Sequence, residues 1–137
     1  MVSSGVLAAR IAAALIGLVV VFQFAIVLGA PWGEYTQGGS TSGTLPVAGR
    51  VLAAGSLVLL IVMAFALLAR VGDGPMKSAP SRLVTVLSWF TVGYFGLAIA
   101  LNLASQSSGE RLLWAPVAAA TFVCALIGMI RSRRSTA

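Results

Sequence analysis

The sequence predicts an all-α fold: a four-transmembrane-helix up-down bundle with both termini cytoplasmic. Three observations predict it. The 137 residues are 59% hydrophobic and only 9% charged, whereas a soluble domain carries about a quarter of its residues charged. Four charge-free runs, at 11–30, 51–69, 83–109 and 112–130, match the roughly 20 residues that an apolar helix needs to cross a hydrocarbon core of about 30 Å. Seven of the nine basic residues fall on one side of a four-span layout, which is the positive-inside asymmetry.

The same composition excludes other classes. Intrinsic disorder requires low hydrophobicity and high charge. A disulfide-stapled secreted domain requires more than the single Cys present. Lipid-spanning strands alternate apolar and polar residues, and these runs do not. A net charge of +6 suits nucleic acid only when it forms a basic face. Here the charges are few and scattered between apolar runs, so they read as topology and no nucleic-acid partner is expected.

The elements follow in order within one domain, 1–137. Helix 1 is expected over about 8–30, closed by Pro31-Trp32-Gly33. Its apolar run is too long for a signal h-region of about 7 to 15 residues, so it reads as a retained helix. Gly38-Gly39-Ser40-Thr41-Ser42-Gly43 is a flexible connection, and Leu45-Pro46 opens helix 2, over about 46–70. Gly72-Asp73-Gly74-Pro75 breaks it. Helix 3 is expected at 81–104. Ser107-Ser108-Gly109-Glu110 has the spacing of a capping box and opens helix 4, at 108–131. Pro116 is expected to kink that helix.

Arg10, then Arg70, Lys77 and Arg82, then Arg131, Arg133 and Arg134 lie on the side of the termini. Only Arg50 and Arg111 lie on the other. That makes the chain a multi-pass membrane protein with the N-terminus and C-terminus cytoplasmic. Lipid tails are as apolar as Leu, so small residues let such helices pack. Rows at four-residue spacing are Ala9, Ala13 and Gly17; Gly49 and Ala53; Gly96, Ala100 and Ala104; and Ala120, Cys124 and Gly128. Cys124 reads as a packing residue.

The polar residues single out the outer side. Glu34, Arg50, Glu110 and Arg111 are its four charges, and Arg50 falls in the second turn of helix 2. A guanidinium at that depth must snorkel or pair. One reading is a structural ion pair with Glu34 or Glu110. The other is an anion or headgroup site gripped by Arg50 or Arg111. Gln23 and Tyr94 add polarity within the spans, with Asn102 near the outer end of helix 3. A polar cavity lined by Gln23, Arg50, Tyr94, Asn102 and Glu110 is one expectation, and interhelical hydrogen bonding is the other. Trp32, Tyr35 and Trp114 read as an interfacial aromatic belt.

Much chemistry lacks its residues. With no His and one Cys, no metal site, haem or Ser–His–Asp triad is expected, and no cofactor. No phosphate-binding loop follows a strand. Catalysis by Glu34 or Glu110 with neighbouring Ser residues would need a tuned base, so no catalytic residue is assigned. The run Asn102-Leu103-Ala104-Ser105-Gln106-Ser107-Ser108-Gly109-Glu110-Arg111-Leu112-Leu113-Trp114-Ala115-Pro116 resembles segments of small four-helix bacterial integral membrane proteins with no assigned activity. So does Gly29-Ala30-Pro31-Trp32-Gly33-Glu34, with Gly38-Gly39 after it. The resemblance implies a bacterial inner membrane and an outer cluster around Asn102, Glu110, Arg111 and Trp114.

The expected function is non-enzymatic: a small accessory or binding subunit, set in the lipid bilayer, that packs with another membrane protein or as a homo-oligomer. The alternatives are an oligomeric small-molecule or ion carrier or channel with an outward-facing polar cavity, and a lipid-modifying enzyme acting at the outer face.

Overall fold

A computed structural model describes residues 1–132. Arg133 and Arg134, which enter the charge asymmetry above, lie outside the described residues. Among the described residues the chain is all-helical, with four helices long and apolar enough to span a membrane: α1 (Ser4–Val27), α2 (Val47–Arg70), α3 (Ser81–Ala104) and α4 (Ser108–Arg131). Each has 24 residues, about 36 Å at 1.5 Å per residue. Two short 3-10 turns, Gly33–Tyr35 and Gln37–Gly39, lie in the first connection.

Helix α1 begins four residues earlier than its apolar pattern suggests, because Ser3 caps it. The Ser3 Oγ accepts the Val6 N–H at 3.2 Å. It also stops at Val27, short of the expected Ala30. Gly29 turns left-handed at φ +100°, its N–H bonds the Ile26 carbonyl at 3.0 Å, and the Ala30 N–H bonds the Ala25 carbonyl at 2.9 Å. This is a Schellman stop, which satisfies two carbonyls at the helix end. Helix α2 ends the same way. Gly72 sits at φ +82°, and the Gly72 and Asp73 N–H groups bond the Ala69 and Leu68 carbonyls at 3.1 and 2.9 Å. Helix α4 runs unbroken through Pro116.

Helix α1 packs along both α2 and α4, and α3 packs along α4, while α2 meets α3 over a shorter stretch. The main core joins Ala12, Ala13 and Ile16 of α1 to Leu60, Met63 and Leu67 of α2, with Phe95 of α3 and Ala125 of α4. Helices α1 and α4 approach closely at their small residues. A Cβ added at Gly128 would lie 3.2 Å from the Ala9 Cβ, and one at Gly5 only 2.7 Å from the Arg131 carbonyl carbon. Of the small-residue rows expected to pack, those of α1 and α2 are buried at Ala9, Ala13, Gly49 and Ala53. The row on α3 is not, since Ala100 and Ala104 are exposed. The buried line on α4 runs through Ala118, Thr121, Ala125 and Gly128 rather than through Ala120 and Cys124. Helical phase, which spacing alone leaves open in so Ala-rich a chain, decides the difference.

The start of α1, the α2–α3 connection and the end of α4 meet at one end of the bundle. Arg10 reaches Asp73 Oδ2 at 2.8 Å, and the Arg131 guanidinium donates to Ser4 Oγ at 3.2 Å. The α1–α2 and α3–α4 connections meet at the opposite end.

Replacing Gly128 with Leu should lower stability by about 1 to 3 kcal/mol through overpacking against Ala9. Gly17→Ala should be neutral or stabilising, since nothing lies within 4 Å of its would-be Cβ. Thermal unfolding of the two variants in detergent compares them directly.

Candidate functional site

The first connection folds into a roof over one end of the bundle. The Gly33 N–H bonds the Gly43 carbonyl at 2.8 Å, which closes the loop on itself. The approach is so tight that a Cβ on Gly33 would meet the Thr41 oxygen at 2.5 Å. Thr44 Oγ1 donates to the Gly29 carbonyl at 2.9 Å. Gln37 takes φ +51°, a left-handed conformation that costs a non-glycine residue about 1 to 2 kcal/mol. Its side-chain amide offsets this by donating to the Gly49 carbonyl at 2.7 Å.

The start of α4 holds the roof down. Ser107 caps the helix by accepting the Glu110 N–H at 3.2 Å, and its hydroxyl donates to the Glu34 carbonyl. Only half of the expected capping box forms. The Glu110 carboxylate turns away from the Ser107 N–H; its Oε1 accepts the Gly38 N–H at 3.1 Å and its Oε2 the Ser105 hydroxyl. The Ser107 N–H goes instead to Ser105 Oγ at 3.1 Å. Trp114 Nε1 donates to the Tyr35 carbonyl at 2.8 Å. Trp114 also packs edge-on against Phe22, ring centres 4.6 Å apart. Of the three expected belt aromatics, Tyr35 and Trp114 thus turn partly inward, and Trp32 stays 44% exposed while stacking on Phe22.

The four charges at this end do not form ion pairs with each other. Arg50 Nε and Nη2 both donate to the Val27 carbonyl, at 3.0 and 2.7 Å, and Arg111 donates to the Ser105 carbonyl. Glu34 is exposed. The reason is the supply of acceptors. Helix and turn ends leave carbonyls within reach of each guanidinium, and a charge-assisted bond to one of these removes an orphan that a carboxylate would leave in place.

Beneath the roof lies a cavity of about 130 Å³ among all four helices. Gln23 from α1, Tyr94 and Asn102 from α3, and Glu110 from α4 line it. Arg50 does not; it borders a separate apolar groove beside Val27 and Val51 on the outside of α1 and α2. Glu110 is buried, with 7% of its surface exposed. Asn102 donates its side-chain N–H to the Ala98 carbonyl at 2.8 Å. Gln23 Oε1 is buried with no hydrogen-bond partner. Thr36 of the roof and Phe22 and Phe95 of the walls also line the cavity, and the sequence pattern singled out none of these three. An apolar residue beside a polar one on a helix carries no mark of which faces inward.

The cavity ends against Val19, Leu60 and Ala118. Beyond them the core is apolar, and its polar side chains are spent on nearby backbone: Ser88 on the Ala66 carbonyl, Thr91 on Leu87 and Thr121 on Val117. Among the described residues no three His, Cys, Asp or Glu come together as a metal site would require. Neither protein-family models, nor curated proteins, nor solved structures contain a match to this chain.

Arg50→Ala should destabilise the fold by about 1.5 to 3 kcal/mol, the scale of a hydrogen bond made by a charged group. A double-mutant cycle with Glu34→Gln should show coupling no larger than about 0.5 kcal/mol. A larger coupling would restore the ion pair that the geometry lacks.

Proposed function

We propose that the chain is a non-enzymatic accessory or binding subunit of a bacterial inner membrane, packing against another membrane protein or against its own copies. In this reading the helices run up and down, both termini are cytoplasmic, and the roofed end faces outward. The charge asymmetry supports the orientation: Arg10 and Arg131 belong to the end opposite the roof, and Arg50 and Arg111 to the roofed end.

One observation carries the packing role. Val86, Phe90, Gly93, Leu97, Ala100 and Ala104 lie on α3 at alternating spacings of three and four, and all six are exposed. That spacing makes one stripe of a helix. Nothing lies within 4 Å of a would-be Gly93 Cβ, so the notch is open from outside. Small residues on such a stripe allow a second helix to approach closely, which is how helices associate where hydrophobicity supplies no drive. The polar groups at the roofed end, by contrast, are mostly engaged with the chain's own backbone. The cavity favours a second reading, an oligomeric carrier, in which copies would have to complete the polar path that one chain lacks.

Gly93→Leu and Ala100→Leu fill the stripe from outside. Neither should lower the unfolding temperature, and both should abolish whatever association the wild type shows after purification in mild detergent. A wild type that purifies as a lone monomer, or an association that survives both substitutions, would remove the accessory reading. A saturable solute flux in vesicles containing the protein would favour the carrier. A reporter fused to the C-terminus should be found inside the cell, and one inserted at Ser42 outside.

A further inference from the structure

The cavity beneath the roof has both donors and acceptors on its wall, and its acceptors are the part the protein leaves underused. Gln23 Oε1 is buried without a partner, which costs about 1 to 3 kcal/mol when nothing satisfies it. Asn102 uses an N–H on Ala98, and its Oδ1 takes no protein donor. Glu110 accepts two donors, and a carboxylate has about four lone-pair positions, so two remain. No Lys or Arg lines the space, and Glu110 gives the lining its formal charge. Aromatic side chains make up much of the rest: Phe22, Tyr94, Phe95 and Trp114.

We propose that this cavity binds a small ammonium-type cation, either ammonium itself or the primary-amine head of a small molecule. Such a head carries one positive charge and three N–H donors. Gln23 Oε1, Asn102 Oδ1 and the Glu110 carboxylate supply acceptors of matching number, and the carboxylate neutralises the charge. Aromatic faces add attraction for a cation removed from water. The size agrees: about 130 Å³ has room for roughly four waters at their liquid volume, hence for a ligand of only a few heavy atoms. An anion would be repelled by the Glu110 carboxylate, the formal charge on this lining. A divalent cation such as calcium would want six to eight oxygens, several of them charged, and only one carboxylate is at hand. Glu110 also holds the Gly38 N–H of the roof, so ligand and roof share one carboxylate. The site stands whether or not the α3 stripe meets a partner.

The test uses the full chain in detergent micelles, with labelled methylammonium as the probe in equilibrium dialysis and a bulky organic cation keeping ionic strength constant. Saturable binding at one site per chain is expected, with no competition from tetraethylammonium, which is too large for the cavity. Gln23→Leu should weaken binding by at least about tenfold, the scale of one hydrogen bond to a charged group. The same substitution should raise the unfolding temperature of the ligand-free protein, because it removes a buried orphan. Glu110→Gln should weaken binding further. It also loosens the roof, so if it fails to fold, Asn102→Leu takes its place with the same expected loss. Absent saturation, equal displacement by tetraethylammonium, or unchanged affinity in Gln23→Leu would each overturn the proposal. Loss of a co-purifying partner would leave it untouched.

Discussion

The constraint on which this molecule depends is the satisfaction of backbone groups where helices stop. In an apolar surrounding an unpaired N–H or carbonyl has no water to turn to, and this chain interrupts its helices at three connections. Its polar side chains are placed accordingly. Arg50 serves the end of α1, and Trp114, Glu110 and Ser107 serve the roof. The roof exists because these groups converge on it. The cavity exists because the roof holds Tyr35 and Thr36 across the helix ends rather than letting the side chains of α1, α3 and α4 collapse together.

Both ends of the bundle use a glycine stop, Gly29 for α1 and Gly72 for α2, and they differ in the side-chain bonds added to it. At the end with the termini, α2 stops by its own backbone in a glycine turn, and the side chains there join in a partly exposed ion pair, Arg10 with Asp73. Exposed pairs of this kind contribute little, about 0 to 1 kcal/mol. At the roofed end the bonds run from side chain to backbone and several are half-buried. Bonds to charged groups there are worth more and are more directional. The roofed end is therefore the better-defined one.

Length, composition and turn residues made the four helices legible, and the boundaries of α3 and α4 agree with their apolar limits and the Ser107 cap. The end of α1 was less so, although Gly29 carries the signal: a glycine one step past a helix, in position for a left-handed stop. Depth along a helix could also be read. Gln23, Tyr94, Asn102 and Glu110 are polar residues that the pattern places together, and the structure brings those four to one cavity. Angle about the axis could not be read. Arg50 has a suitable depth but the wrong phase, and it reaches α1 along the outside. The same blindness affected the Ala-rich rows of α3 and α4, where nearly every face offers small residues at a spacing of four. The partners of the arginines were illegible for a different reason. A carbonyl has no letter in the sequence, so charges were matched with charges.

The glycine-to-alanine contact of Gly128 with Ala9 has a consequence for the order of assembly. It joins the first helix to the fourth, across more than a hundred residues of chain. Helices α1 and α2 can close as a neighbouring pair while the remainder is still being made, and so can α3 and α4 once both exist. The seam between α1 and α4, however, cannot form until α4 has emerged. Until then the buried face of α1 that α4 will cover, Gly5 and Ala9 included, is open to any other small-faced helix nearby. The newly made protein thus passes through an interval in which a face destined for close packing is still open, and a chaperone or a neighbouring helix that shields α1 during that interval would affect how much of it reaches the finished bundle.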